Sequence, residues 1–298
     1  MMHRFQNAVR GFSCLLMLLF ISLYAASAQQ VQEFDTAKLD DYLQVLHDND
    51  KFMGSVTVLK NGEAIFNKAY GLSHKQPRQV AAEKQTIYRI GSITKLFTSV
   101  MIMQLAEENQ LALSQTLDQY YPQVAGADSI TIRHLLAHRS GLFNFTNRED
   151  YQEWMTEQRS REQMLDMIRS LELEFEPGEK TSYSNTNYVL LGYIIEDITG
   201  DSYASQLQKR IAQPLGLTGT YYGDGIELAD NEAASFNWNG TTWEEASETD
   251  MSIPHGAGAI VSTPKNLTTF IRALFRGRLV SEQSLDRMTD IEQQLGLE

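Results

Sequence analysis

Cysteine is close to absent from this chain: 298 residues contain one, Cys14, and it lies within the first 28. Once those residues are removed, no disulfide, thiol nucleophile or cysteine-type zinc site is available. Long apolar runs are scarce too. Residues 12–24 form a run of thirteen, too short to span a bilayer comfortably. The run follows Arg4 and Arg10 and precedes Ala26-Ser27-Ala28, the layout of a secretory signal over residues 1–28 cut before Gln29; an uncleaved anchor is the alternative. Export without disulfides fits a bacterial envelope protein, periplasmic or extracellular, with no stable membrane span after cleavage.

Positive charge is in short supply. The chain holds 25 basic residues against 38 acidic ones, and losing Arg4 and Arg10 with the leader leaves 23 against 38, a formal charge of −15. Such a balance disfavours nucleic acid or an anionic membrane surface as a partner. No lysine or arginine occurs from Ile211 to Pro264, where acids accumulate from Asp224 to Asp250, most simply a solvated acidic flank. No linker, repeat or low-complexity tract divides residues 29–298, so one catalytic-sized domain is expected. A G-x-S-x-G elbow is missing around every serine, which argues against a Ser-His-Asp hydrolase.

What is present has clear periodicity. Asp35–His47 reads as an amphipathic helix, and two β-prone runs, Gly54–Leu59 and Ala64–Tyr70, flank an Asn61-Gly62 hairpin turn. Ile130–His138 reads as a short helix, Tyr151–Leu171 as a surface helix, and Tyr188–Ile198 as a buried helix ended by Gly200. Ala204–Ile211, Pro264–Arg276 and Ser281–Met288 complete the helices, and a second Asn-Gly turn at Asn239-Gly240 predicts a surface hairpin. His134 and His138 stand at a spacing that can hold zinc on one helix face. Leu135 follows His134 where a metalloprotease carries glutamate, and no further ligands cluster there, so both are read as structural or supporting residues. His255, between Pro254 and Gly256, is read as a turn histidine, with a cleft position as the alternative.

The stretch Tyr88–Leu113 carries the chemistry. Ser92 and Lys95 begin a helix that is apolar on most of its surface, hence buried. Residues three apart share a face, so the Lys95 amine can approach the Ser92 hydroxyl; burial disfavours the ammonium, and Lys95 is thus a candidate acceptor of the Ser92 proton. S-x-x-K is also the pattern of a helix cap followed by a solvated lysine, and it recurs as such at Ser262–Lys265. Tyr183-Ser184-Asn185, after the Phe175-Glu176-Pro177-Gly178 turn, can aim two polar side chains into a cleft; the alternative is a core tyrosine and a capping asparagine.

Three segments together resemble the serine beta-lactamase-like family that includes class C beta-lactamases, D-alanyl-D-alanine carboxypeptidases and related esterases. They are residues 88–95 (YRIGSITK), residues 132–142 (IRHLLAHRSGL) and residues 175–185, in the family's order over roughly residues 35–297. The resemblance implies an α/β (α+β) beta-lactamase/transpeptidase-like fold, an antiparallel sheet flanked by helices plus a mostly helical subdomain. It implies that Ser92 is acylated, Lys95 assists its deprotonation, Tyr183 acts as general base and acid, and Asn185 binds the substrate amide. The Ser92 N–H would supply half of an oxyanion hole. No metal or organic cofactor is expected, and the substrate would be a small molecule or peptide: a peptidoglycan D-Ala peptide, a beta-lactam or an ester. The family's third motif, Lys/His-x-Gly on a later strand, is not reached before Glu298, so about three strands of a five-stranded sheet are expected to be missing. A fragment and a degenerate, inactive binder of cell-wall peptides are the two readings of that expectation.

Overall fold

The computed structural model describes residues 34–75 and 79–290, so the expected secretory signal and the approach to a third motif lie outside the described residues. The described residues divide into two units after Asp41. Helix α1 (Thr36–Asp48) starts within one residue of the predicted position and crosses that division. All that follows concerns the second unit.

Strands β1 (Gly54–Lys60) and β2 (Glu63–Tyr70) form the predicted hairpin, with Asn61 and Gly62 at φ of +55° and +93° making its turn. The register slips between Val58 and Leu59. Two short antiparallel pairs join β3 (Leu72–His74) to β4 (Val80–Ala81), and β7 (Phe236–Trp238) to β8 (Trp243–Glu245); the second is the hairpin expected around Asn239-Gly240. A three-stranded sheet places β9 (Ile260–Ser262) between β5 (Tyr88–Arg89) and β6 (Tyr221–Tyr222). This sheet matters most for the chemistry. Just beyond β5, the Ile90 N–H donates to the Ile260 carbonyl (3.1 Å), and the Ile260 N–H donates to Thr94 Oγ1 (3.1 Å). The backbone on either side of Ser92 is therefore tied to one strand.

Helix α2 (Thr94–Glu107) is the buried element that the apolar run predicted, with Phe97, Val100, Met101, Ile102 and Leu105 fully enclosed. Phe97 stacks on Phe270, ring centroids 3.8 Å apart. Helix α3 (Ile132–Leu136) is shorter than expected at both ends: Thr131 caps its start, accepting the His134 N–H, and the chain has left the helix by His138, at φ +52°. The predicted helix over Tyr151–Leu171 is two pieces. A turn at Tyr151–Trp154 ends, and α4 (Arg161–Arg169) restarts behind a Ser160–Gln163 capping box. Helix α5 (Asn185–Thr199) begins three residues before its predicted start and buries every residue from Thr186 to Ile195, ending at Gly200 in the left-handed region. Helix α6 (Tyr203–Leu207) continues into a π turn at Gln208–Ala212, and α7 (His255–Gly258) is a single turn before β9. Helices α8 (Pro264–Phe275) and α9 (Glu282–Thr289) close the described chain. Among the described residues no helix is long and apolar enough to cross a membrane.

Two glycines let α7 sit directly on α5. A Cβ on Gly256 would lie 2.5 Å from the Tyr188 carbonyl oxygen, and one on Gly192 would lie 2.6 Å from the His255 ring. Gly256→Ala is expected to cost about 1–3 kcal/mol by overpacking, read as a lower urea midpoint at unchanged m-value.

His255 is buried against Tyr193, Tyr203 and Tyr222, with Nδ1 3.1 Å from the Tyr222 hydroxyl. Desolvation first, and the Arg161 charge second, push its pKa down to about 3. The unfolded chain then binds a proton that the folded one refuses between pH 6.5 and about 3, so stability falls as pH drops through that window. His255→Asn should flatten the dependence of urea midpoint on pH between 6.5 and 4.5 relative to wild type; an unchanged slope would refute the assignment.

Candidate active site

Gly91, at φ +51°, turns the chain from β5 into a 3₁₀ turn at Gly91–Ile93, and that turn holds Ser92 at the surface. Lys95 lies one turn further on α2 and is buried at 6% exposure. Its Nζ donates to Ser92 Oγ (3.1 Å), Asn185 Oδ1 (2.8 Å) and the Ala257 carbonyl (2.8 Å), and it stands 4.8 Å from the centre of the Tyr183 ring. The Tyr183 hydroxyl is 2.7 Å from Ser92 Oγ and 3.3 Å from Asn185 Oδ1. All four residues singled out in the sequence are therefore joined in one ring of hydrogen bonds, Ser92 to Tyr183 to Asn185 to Lys95 and back to Ser92.

Tyr183 reaches this place through a run of backbone bonds. Residues 173–182 lie against residues 138–142: the Glu174 N–H donates to the Gly141 carbonyl, Gly178 to Arg139 and Ser182 to His138, each at 2.8 Å. Gly141, at φ +78°, permits that approach, since a Cβ there would fall 2.0 Å from the Phe175 carbonyl oxygen. Asn185 is the first residue of α5 rather than part of the turn before it. Its N–H donates to Asn144 Oδ1 (3.0 Å) and its Nδ2 to Thr146 Oγ1 (3.2 Å), so the 144–146 turn fixes which end of the amide faces Lys95.

Ser92, Asn185 and Thr146 open onto a cleft of about 270 Å³ whose far wall comes from the acidic segment, including Ser247, Glu248 and Thr249. Arg89 reaches across to this wall, with its guanidinium 3.3 Å from Glu248 and donating to the Thr249 and Asp224 carbonyls. The segment read as a solvated flank thus also borders the cleft, a placement that charge alone does not reveal.

Other sequence candidates fall elsewhere. The second S-x-x-K is structural: Thr263 caps α8 by accepting the Asn266 N–H, and Ser262 Oγ bonds to Thr220 Oγ1 at 2.8 Å. His134 completes the Thr131 capping box, and among the described residues no group of three His, Cys, Asp or Glu could hold a metal. His255 is a core residue, yet its turn carries the Ala257 carbonyl to Lys95. Sequence reasoning missed that carbonyl, Asn144 and Thr146; a backbone acceptor has no side-chain signature, whereas the polar Asn144-Phe145-Thr146 just past Gly141 was a readable signal.

The sequence profile of the beta-lactamase family matches residues 40–294. The teichoic acid D-alanine hydrolase of Staphylococcus aureus strain MRSA252 is 28% identical over 244 residues, covering 82% of this chain and 58% of that protein. This chain thus spans a little over half the length of that relative. Among solved structures, FmtA from Staphylococcus aureus superposes with a TM-score of 0.73 at 25% identity, covering 85% of this chain and 69% of the other. The D-amino acid amidase of Ochrobactrum anthropi SV3, solved with L-phenylalanine amide, gives 0.71 at 26% identity, covering 85% and 75%. With the fold and the family profile in agreement over most of its length, the chain belongs to the beta-lactamase family.

Proposed function

We propose that this protein is an exported serine hydrolase that opens amide or ester bonds of small D-amino acid derivatives, D-alanyl groups foremost, through an acyl-Ser92 intermediate. The observation that carries the reading is the position of Ser92 Oγ, 2.7 Å from the Tyr183 hydroxyl and 3.1 Å from Lys95 Nζ at the edge of an open cleft. Support for the substrate class comes from the relatives, a D-alanine hydrolase and a D-amino acid amidase. Export, to the periplasm or beyond the cell, rests on the leader-like residues 1–28.

In this reading Tyr183 acts as the phenolate: Ser92 Oγ attacks the substrate carbonyl while its proton passes to the Tyr183 oxygen, which returns it to the departing nitrogen or oxygen as that bond to the carbonyl carbon breaks. Water then attacks the acyl carbon, giving its proton to the Tyr183 oxygen; the bond from that carbon to Ser92 Oγ breaks, Oγ takes the proton back, and the acid leaves. The Ser92 N–H supplies an oxyanion donor at the start of its turn. Three acceptors surround Lys95 Nζ, matching the three protons of an ammonium; the lone pair of a neutral amine would face one of them. Burial alone argues for a neutral amine, but hydrogen bonds to the charged form favour the ammonium. Lys95 accordingly serves as a fixed positive charge beside both oxygens, and Tyr183 carries the proton.

A fluorophosphonate should leave a mass adduct on Ser92 of the full chain, and Ser92→Ala should leave none. Tyr183→Phe should slow labelling by about 100- to 10,000-fold, the span of a positioned acid–base group. A folded protein that gives no adduct would sink the proposal, and binding of a D-alanyl ligand without acylation would recast the protein as a binder.

A further inference from the structure

The segment Ile132–Leu142 carries much of the family resemblance, yet none of its side chains touches the reacting atoms in the reading above. His138 stands out within it. It is 3% exposed and holds φ +52°, a left-handed conformation that most residues adopt only at a cost. Both residues flanking Tyr183 bond to it. The Ser182 N–H donates to its carbonyl (2.8 Å), and the Ser184 N–H donates to its ring Nδ1 (3.1 Å). Between those two bonds its ring packs against Tyr183, centroids 4.6 Å apart, and its other neighbour is Tyr188 at 5.1 Å.

We propose that His138 is the positioning residue for Tyr183: its ring nitrogen and its carbonyl clamp residues 182 and 184, and its ring braces the phenol over Lys95. This rests on the reading of Tyr183 as the proton carrier. The ring can serve only while Nδ1 keeps its lone pair, and three features preserve it. Nδ1 faces the Ser184 N–H and, at 3.3 Å, the Asn187 amide, whose own oxygen accepts from Ser140 (2.6 Å). That chain orients the amide with its Nδ2 toward the histidine. Desolvation, with the Lys95 charge in second place, pushes the His138 pKa down to about 4, so the neutral ring persists through the working range of a hydrolase. In the neutral ring the proton then sits on Nε2. The left-handed backbone completes the device, because it lets the carbonyl and the ring of one residue reach two amides two positions apart.

The role separates from mere packing by a double-mutant cycle. His138→Gly accepts the positive φ but removes ring and acceptor; His138→Asn accepts it too and places Oδ1 near the position of Nδ1. Turnover of para-nitrophenyl acetate by the full chain is the readout, with urea midpoints to establish that each variant is folded. His138→Gly should lower kcat about 100-fold, the effect of a misplaced catalytic group, with KM changed by less than about threefold. His138→Asn should stay within about tenfold of wild type, and in a Tyr183→Phe background His138→Gly should cost less than about threefold. A folded glycine variant with wild-type kcat, or one that loses as much in the Tyr183→Phe background, would overturn the proposal. If the glycine variant does not fold, the asparagine variant decides: a loss as large as that of Tyr183→Phe overturns it. A wild-type chain that forms no Ser92 adduct and has no turnover would remove the underlying hydrolase reading, whereas an active wild type with an active glycine variant removes this inference alone.

Discussion

One buried lysine, proposed above to carry its charge, organises this site. Lys95 Nζ is held by the Ser92 hydroxyl, the Asn185 amide and the Ala257 carbonyl, contributed by three separate stretches of chain. An ammonium taken out of water costs several kcal/mol unless hydrogen bonds replace its hydration. Each stretch must therefore arrive in register. The need explains why α7 presses so closely on α5 that Gly192 and Gly256 leave no room for a Cβ, and why β9 is bonded to both sides of the Ser92 turn. Thr98 adds a further tie, donating to the Gly256 carbonyl (2.6 Å) and meeting the Tyr203 hydroxyl (2.7 Å).

The cation has consequences for its neighbours. Burial first, and the Lys95 charge second, disfavour a proton on His138. Further out, Arg89 joins the strand before Ser92 to the acidic wall of the cleft through Glu248. Glu248 in turn accepts from the Ser235 N–H (2.7 Å) and hydroxyl, so the wall and the strand before Ser92 form one bonded frame. The wall of the cleft is thus held by Arg89, three positions before Ser92.

Much of this was legible in the sequence where side-chain identity carries the message. Ser92, Lys95, Tyr183 and Asn185 could be named, the Asn61-Gly62 hairpin placed, and α2 recognised as buried, because hydroxyls, amines, turn residues and apolar runs have their own signatures. Three things were not legible. Ala257 acts through a carbonyl that any residue would supply. For His138 the sequence supports a structural or supporting role but not its partner, since its place beside Tyr183 arises from strand-like pairing of two loops 40 or so residues apart, about the separation at which local pattern says nothing. The break near Ser160 was missed because the apolar period resumes in phase beyond it, although the Ser160–Gln163 capping box was there to be read.

The central claim is a distribution of protons: Lys95 charged, and the Ser92 hydroxyl turned to Tyr183. Neutron diffraction from a deuterated crystal of the resting protein measures it directly. The account predicts three deuterons on Lys95 Nζ, aimed at Ser92, Asn185 and Ala257, with the Ser92 deuteron directed to the Tyr183 oxygen. Two deuterons on Nζ, and the Ser92 deuteron directed at its lone pair, would contradict it and return the role of base to Lys95.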